Sequence, residues 1–451
     1  MDMNRYALLW LSVVAVACSD PAPSTDGGGS GASDSQTPAT TAGPGPGSNS
    51  TTNQPDGSGG GGEGPGTTSG STTTDDPSAD ETAGSPVIFD YGGIPDAPEY
   101  CQQGEGEVEF SYIWIANSTQ GTISKINTET LVEEGRYQTR PDTNGSPSRT
   151  SVSLTGNVAV ANRNGGLTKF YALEDNCVDS NNNGTINTSS GAADILPWGN
   201  EECMAWHTPM TYTSQRPVAW TQGEWDQAAC ATLNEKVWTS GANGESIEVL
   251  LVDGDTGIIE ETVPIPGVSA GFFGIYGAAV DSEGNFWGSQ LSLGSVVRVD
   301  RQTMDVQVWP MVASGYGMTV DQEGYVWTCS NTAARFDPVT QTWQTANVGG
   351  SGGCMSDGGD ILWMASSPMV GINRHTLAVE YSIPLPNYVH GVSVDYNGYV
   401  WGVTQFGTDA YRVDPMAGTW DVVSGLVGPY TYSDMTGFAL NNVGGGGAPS
   451  G

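Results

Sequence analysis

Short apolar runs rich in Val, Ile, Tyr and Trp alternate with turns of Asp, Asn and Gly along most of the chain, and no long stretch carries a helical apolar period. Strands are expected throughout, and helix should be scarce. One pattern recurs: a Gly, an apolar position and an Asp, followed by a Gly and an aromatic strand that ends in Trp. Gly277-Ala-Ala-Val280-Asp281 leads to Gly284-Asn-Phe-Trp287, Gly317-Met-Thr-Val320-Asp321 to Gly324-Tyr-Val-Trp327, and Gly391-Val-Ser-Val394-Asp395 to Gly398-Tyr-Val-Trp401. Gly353-Cys-Met-Ser-Asp357 reaches Trp363 by way of Asp360. The tryptophans stand 40, 36 and 38 residues apart. Third strands follow, such as Val297-Arg-Val-Asp300, Ala334-Arg-Phe-Asp337 and Tyr411-Arg-Val-Asp414, and then fourth strands such as Thr342-Trp-Gln-Thr345. Four strands in about 40 residues make one propeller blade.

Weaker copies come earlier. Tyr112-Ile-Trp-Ile-Ala116 with Thr122-Ile-Ser-Lys-Ile126 supplies one, residues 152–162 with Leu167-Thr-Lys-Phe170 a second, and Arg216-Pro-Val-Ala-Trp220, Lys236-Val-Trp238 and residues 247–252 a third. The total is seven. The blade at Tyr112 lacks a first strand, and Met435-Thr-Gly437-Phe-Ala-Leu440 is a first strand with no blade after it, so pairing the two would close the ring. The expected fold class is all-β: a seven-bladed β-propeller of four-stranded blades over residues 101–442, closed by the C-terminal strand. An insertion at about 174–215 is placed between the second and third blades, and residues 443–451 are read as a disordered tail.

Composition adds the setting. Lys+Arg 14 against Asp+Glu 50 gives a formal net charge of -36, which opposes nucleic acid and anionic lipid headgroups and keeps the surface self-repelling, so a monomer with no nucleic-acid partner is expected. Residues 1–17 have the form of a signal peptide, with Arg5 before a short apolar run that ends in Ala15-Val16-Ala17-Cys18. This resembles the lipobox of bacterial lipoproteins, although Ala15 stands where Leu is commonest, and it implies that Cys18 is acylated and anchors the chain to a membrane. Residues 18–100 are Gly, Ser, Thr, Pro and Asp with almost no large apolar side chain, the composition of a disordered tether. About 70 such residues span roughly 45 Å, and the expected location is the cell envelope, at the outer membrane or cell surface. Six further cysteines, Cys101, Cys177, Cys203, Cys230, Cys329 and Cys354, form no CxxC pair and favour disulfides, with Cys177–Cys203 and Cys329–Cys354 the expected pairs.

The repeat resembles that of virginiamycin B lyase-like propellers, a seven-bladed family. Val389-His390-Gly391-Val392 and Asp395-Tyr-Asn-Gly398-Tyr-Val-Trp401 fit its register, and the resemblance covers about residues 105–442. It implies a histidine general base, here His390, beside glutamates that hold magnesium two residues before and fourteen after. Those places carry Tyr388 and Thr404, which would hold magnesium poorly, so the resemblance supports the fold and leaves a lyase-like activity as the alternative function. No phosphate loop, Gly-x-Ser-x-Gly elbow or His-Glu-x-x-His occurs.

Register allows one more step, because residues leading into each innermost strand converge on one mouth of the central channel. They are Arg149, Arg216, Tyr276, Tyr316, His390 and Thr436. Two arginines with tyrosines would make a basic, aromatic-walled cup for a small anionic molecule or glycan, or for a protein partner at that face; the alternative is that blade carboxylates neutralise both. Finally, Asp179-Ser-Asn181-Asn-Asn183-Gly184-Thr185-Ile186-Asn187 matches an EF-type calcium loop, with Gly at the sharp turn. Its twelfth position is Ser190, so Asp194, Glu201 or Glu202 would have to supply the missing carboxylate. A ligand- or partner-binding module with a calcium-stiffened loop is the preferred reading.

Overall fold

A computed structural model describes residues 111–226 and 231–444. The signal at 1–17, Cys18, the tether, Cys101, Cys230 and most of the 443–451 tail lie outside them. Among the described residues, seven antiparallel sheets of three or four strands follow one another along the chain as blades, and an eighth is a two-stranded hairpin. Four of them form by direct succession of strands: Ile275–Val280 to Val306–Pro310, Gly317–Val320 to Thr342–Asn347, Cys354–Ser356 to Val379–Ile383, and Val389–Val394 to Thr419–Ser424. These are the fourth to seventh blades. In each, the first strand is buried almost throughout while the fourth faces solvent, as a strand lining the channel and a strand on the rim should.

The recurring Asp and Trp form one hydrogen-bonded unit. Asp395 Oδ1 accepts the backbone N–H of Asn397 and Tyr399 in the turn, and its Oδ2 accepts Trp401 Nε1 at 2.7 Å. Asp281 with Trp287 and Asp321 with Trp327 repeat this at 2.8 Å. The Gly of each unit has positive φ, +75° at Gly284, +83° at Gly324 and +82° at Gly398, which a side chain at that point would strain. The carboxylate thus fixes the turn and satisfies an indole N–H that would otherwise be buried without a partner.

The second blade, Pro147–Val152, Val158–Asn162, Leu167–Phe170 and Met204–Thr208, corrects the placement of the insertion. The extra residues between Phe170 and Met204 lie between its third and fourth strands, not between two blades. Antiparallel pairing of Thr168 with His207 and Lys169 with Trp206 returns the chain to the sheet, and the Cys177–Cys203 disulfide closes the loop. The third blade, Ser214–Trp220, Lys236–Asn243, Ser246–Asp253 and Ile259–Pro264, carries a small hairpin, Glu224–Asp226 with Ala231–Leu233, between its first two strands.

The first blade has three strands of its own, Tyr112–Asn117, Thr122–Asn127 and Glu133–Gln138. The C-terminal segment completes it and closes the ring. Asn117 bridges Pro429, Tyr430 N–H bonds Ala116 O at 3.2 Å, and Trp114 N–H bonds Met435 O at 2.9 Å. The closing segment therefore starts earlier than the Met435–Leu440 stretch read from sequence, and Phe438–Gly444 is a helix. Asp434 holds its first turn, accepting the N–H groups of Thr436, Gly437 and Leu440, while Leu440 and Val443 are buried. Their side chains line one end of a channel cavity of about 30 Å³, room for about one or two waters, together with Val218, Ala278, Val320 and Met355.

The second expected disulfide, Cys329–Cys354, joins the second strand of the fifth blade to the first strand of the sixth. Closing a loop of 25 residues restricts the unfolded chain. Replacing both cysteines by Ser should lower the unfolding free energy by about 3 kcal/mol, read as a lower urea midpoint with a steeper slope, because the unfolded chain without the crosslink is more expanded.

Candidate functional site

Five of the six residues assigned to the channel mouth by register do meet there. Tyr276 and Tyr316 lie at 5.2 Å between ring centroids, Tyr316 and His390 at 4.5 Å, and the guanidinium carbons of Arg149 and Arg216 lie 4.7 and 5.0 Å from the Tyr276 ring. Thr436 is the exception. Its hydroxyl donates to Val394 O, at the far end of the seventh blade's inner strand, because the closing segment reaches the mouth with earlier residues. Tyr430 and Tyr432 occupy that place. The Arg149 guanidinium also lies over the Tyr432 ring, and Tyr276, Tyr316 and Tyr430 bring three phenol oxygens within hydrogen-bonding distance of one another. Phe273 adds a ring 4.3 Å from Arg216.

The electrostatics of this cluster are unusual for so acidic a chain. Arg149 is 1% exposed; it donates one hydrogen bond, from Nη2 to Tyr276 O at 2.9 Å, and its buried Nη1 has no partner. Arg216 is buried as well, and its Nε is unpartnered. Among the described residues neither arginine forms an ion pair, so blade carboxylates do not neutralise them. Burial pulls the Arg149 pKa down to about 9, and Arg216 pushes the same way against the favourable phenols of Tyr276, Tyr316 and Tyr430. Near neutral pH it keeps its charge.

His390 is buried beside them, its Nδ1 2.7 Å from the Tyr388 hydroxyl and its Nε2 without a partner. Burial, then the neighbouring Arg149 charge, pushes its pKa down to about 3, so the ring is neutral. The positions where the lyase resemblance implies glutamates are filled by this Tyr388 and by Thr404, which bonds Asp409 O. No carboxylate contacts His390 among the described residues. Neither place offers the anionic oxygen that magnesium would need, and no step of lyase chemistry follows from this arrangement.

The Asn-rich loop lies elsewhere, in the second blade's insertion. Asp179 accepts the N–H groups of Asn183 and Gly184, Asn181 accepts that of Asn183, and Asn183 accepts the N–H and hydroxyl of Thr185. Of the three carboxylates considered for the missing ligand, Glu202 is the one at this loop. Its Oε1 accepts the N–H groups of Ser180 and Asn181, and its Oε2 that of Asn187. Asp194 instead holds Ser190, and Glu201 holds the N–H groups of Ser189 and Cys203. The loop's donors are all oxygens, the hard ligands calcium takes, although Asn187 Nδ2 is turned toward Glu202.

No protein-family model matches this chain, and no curated protein does. Among solved structures it is similar to a functionally unknown protein from Desulfotomaculum acetoxidans, at 11% identity and a TM-score of 0.50, covering 72% of this chain and 98% of that one. It is also similar to a streptogramin B lyase structure, at 15% identity and a TM-score of 0.47 over 69% and 92% of the two chains. For virginiamycin B lyase from Staphylococcus aureus the values are 13% and 0.41 over 61% and 83%. At such identities the likeness speaks to fold alone, and the fold is the seven-bladed propeller that the repeat predicts.

Proposed function

We propose that this chain is a binding module of the cell envelope, held to a membrane by acylated Cys18 and a tether, whose propeller takes a small anionic ligand at the channel mouth. One observation carries the reading. Arg149 is buried with a free donor and no counter-ion, an arrangement that costs several kcal/mol unless an anion completes it. Arg216 lies beside it, buried with its Nε unpartnered; the rings of Tyr276 and Tyr432 cover Arg149 and those of Phe273 and Tyr276 cover Arg216, and exclusion of water strengthens any charge-assisted hydrogen bond made there. Calcium would be held by Asp179, Asn181, Asn183, Thr185 and Asn187 with Glu202, and would stiffen the insertion.

Thermal unfolding of the tethered protein against a panel of acetate, benzoate, sulfate, phosphate and uronic acids tests the anion. A ligand at one hundred times its Kd should add about 2.7 kcal/mol of stability, a rise of several degrees, and Arg216→Gln should abolish most of it. A panel with no effect on the midpoint would sink the reading. In parallel, chelator should lower the midpoint and calcium restore it; equal midpoints would remove the loop as a metal site.

A further inference from the structure

The face that carries the mouth also carries exposed rings. Phe272, 81% exposed, lies in the loop between the third and fourth blades, and Phe406, 51% exposed, lies in a turn of the seventh. In a ring of seven these positions face each other across the channel. Each continues an aromatic wall down to the buried arginines. Phe272 abuts Phe273 at 4.6 Å between centroids, and Phe273 abuts Tyr276 at 5.4 Å and covers Arg216. On the other side Phe406 stacks on Tyr430 at 5.3 Å, and Tyr430 hydrogen-bonds Tyr276 at 2.8 Å.

The groups beneath that lack a partner are few: Arg149 Nη1, Arg216 Nε and the Tyr432 hydroxyl, with His390 Nε2 beside them. Two guanidinium N–H donors and a phenol O–H fit within the lone-pair sites of a single carboxylate, and planar guanidinium groups suit its planar oxygens. The net charge of -36 acts against ligands in proportion to their own charge, so a monoanion is repelled far less than a phosphate or an acidic glycan.

We propose that the ligand is a monocarboxylate on an aromatic body, its carboxylate between Arg149 and Arg216 and its ring between the Phe272 and Phe406 sides of the mouth. This rests on the anion reading above and names the ligand's class. The phenol groups of Tyr276, Tyr316 and Tyr430 close over the mouth, so a ligand reaches the arginines when one of these side chains turns aside.

Calorimetric titration with phenylacetate, acetate, benzyl alcohol, sulfate and phenyl phosphate separates the possibilities. Phenylacetate should bind roughly tenfold or more tighter than acetate, since ring contacts of this kind are worth about a decade in Kd. Phe272→Ala with Phe406→Ala, both at exposed positions, should reduce that preference. Anion binding without preference for the ring, or tighter binding of sulfate or phenyl phosphate, overturns the ligand class and leaves the anion site standing. Binding of benzyl alcohol as tight as phenylacetate overturns the role of the carboxylate. If no anion binds at all, both readings fall together.

Discussion

Arg149→Met should make the ligand-free protein more stable, by about 1–4 kcal/mol, while removing its response to anions. Most substitutions of a buried residue in a channel lining destabilise, so the sign is the informative part. In the native protein the guanidinium has one hydrogen bond, to Tyr276 O, and two ring contacts, against the loss of its hydration and the repulsion of Arg216. A pKa drawn down to about 9 means that the charged form is disfavoured by several kcal/mol even with those contacts counted. Met keeps the bulk over Tyr432, is apolar, and leaves one carbonyl, that of Tyr276, without this donor, at about 1 kcal/mol. Urea unfolding of both proteins in buffer free of carboxylates checks the sign. A loss of stability in the variant would mean that Arg149 is satisfied by water or a group within the fold, and that no ligand is needed to complete the site.

How much of this was legible beforehand follows from how local each signal is. The Asp, Gly and Trp of the repeat bond to one another within seven residues in three blades, so the unit is written contiguously, and the sixth blade keeps its Asp turn at Asp357. The same regularity placed Arg149, Arg216, Tyr276, Tyr316 and His390 at one mouth, since each occupies the equivalent step into an inner strand. Tyr430 and Tyr432 were missed because the closing segment is irregular. Asn117 pairs with Pro429 and Trp114 with Met435, so the four residues 114–117 face the seven residues 429–435, and a register taken from regular blades slips. That slip put Thr436 at the mouth in place of the tyrosines and made a strand of what is a helix. The insertion was misplaced for a related reason: Met204–Thr208 returns to its blade after a long excursion, and nothing local in Met-Ala-Trp-His-Thr says which sheet it joins.

The closing segment also makes the second large prediction, because it serves fold and site at once. A chain ending at Leu426 should not yield soluble monomer. It loses the N–H bonds of Tyr430 and Trp114 and the bond of Val427 N–H to Asn117, about 1 kcal/mol each, and it loses Met435, fully buried between Ile113, Trp401 and Val403, at about 2–3 kcal/mol. The first blade would then present an open inner edge to solvent. Together with the buried tyrosines and the helix, this equals most of the 5–15 kcal/mol that holds a typical domain, and an unpaired edge invites association. A chain ending at Gly437 keeps every one of those closing bonds and sacrifices only the helix, with Leu440 and Val443 worth about 1.5–3 kcal/mol each. It should remain a folded monomer with a lower melting midpoint, since Asp434 loses the N–H of Leu440 and the channel cavity opens at that end. Because Tyr430 and Tyr432 are retained, the anion response should persist at full size. Size-exclusion chromatography and thermal unfolding of the two chains distinguish closure from capping: if the shorter chain is a stable monomer, hydrogen bonds between neighbouring blades, not the C-terminal segment, hold the ring shut.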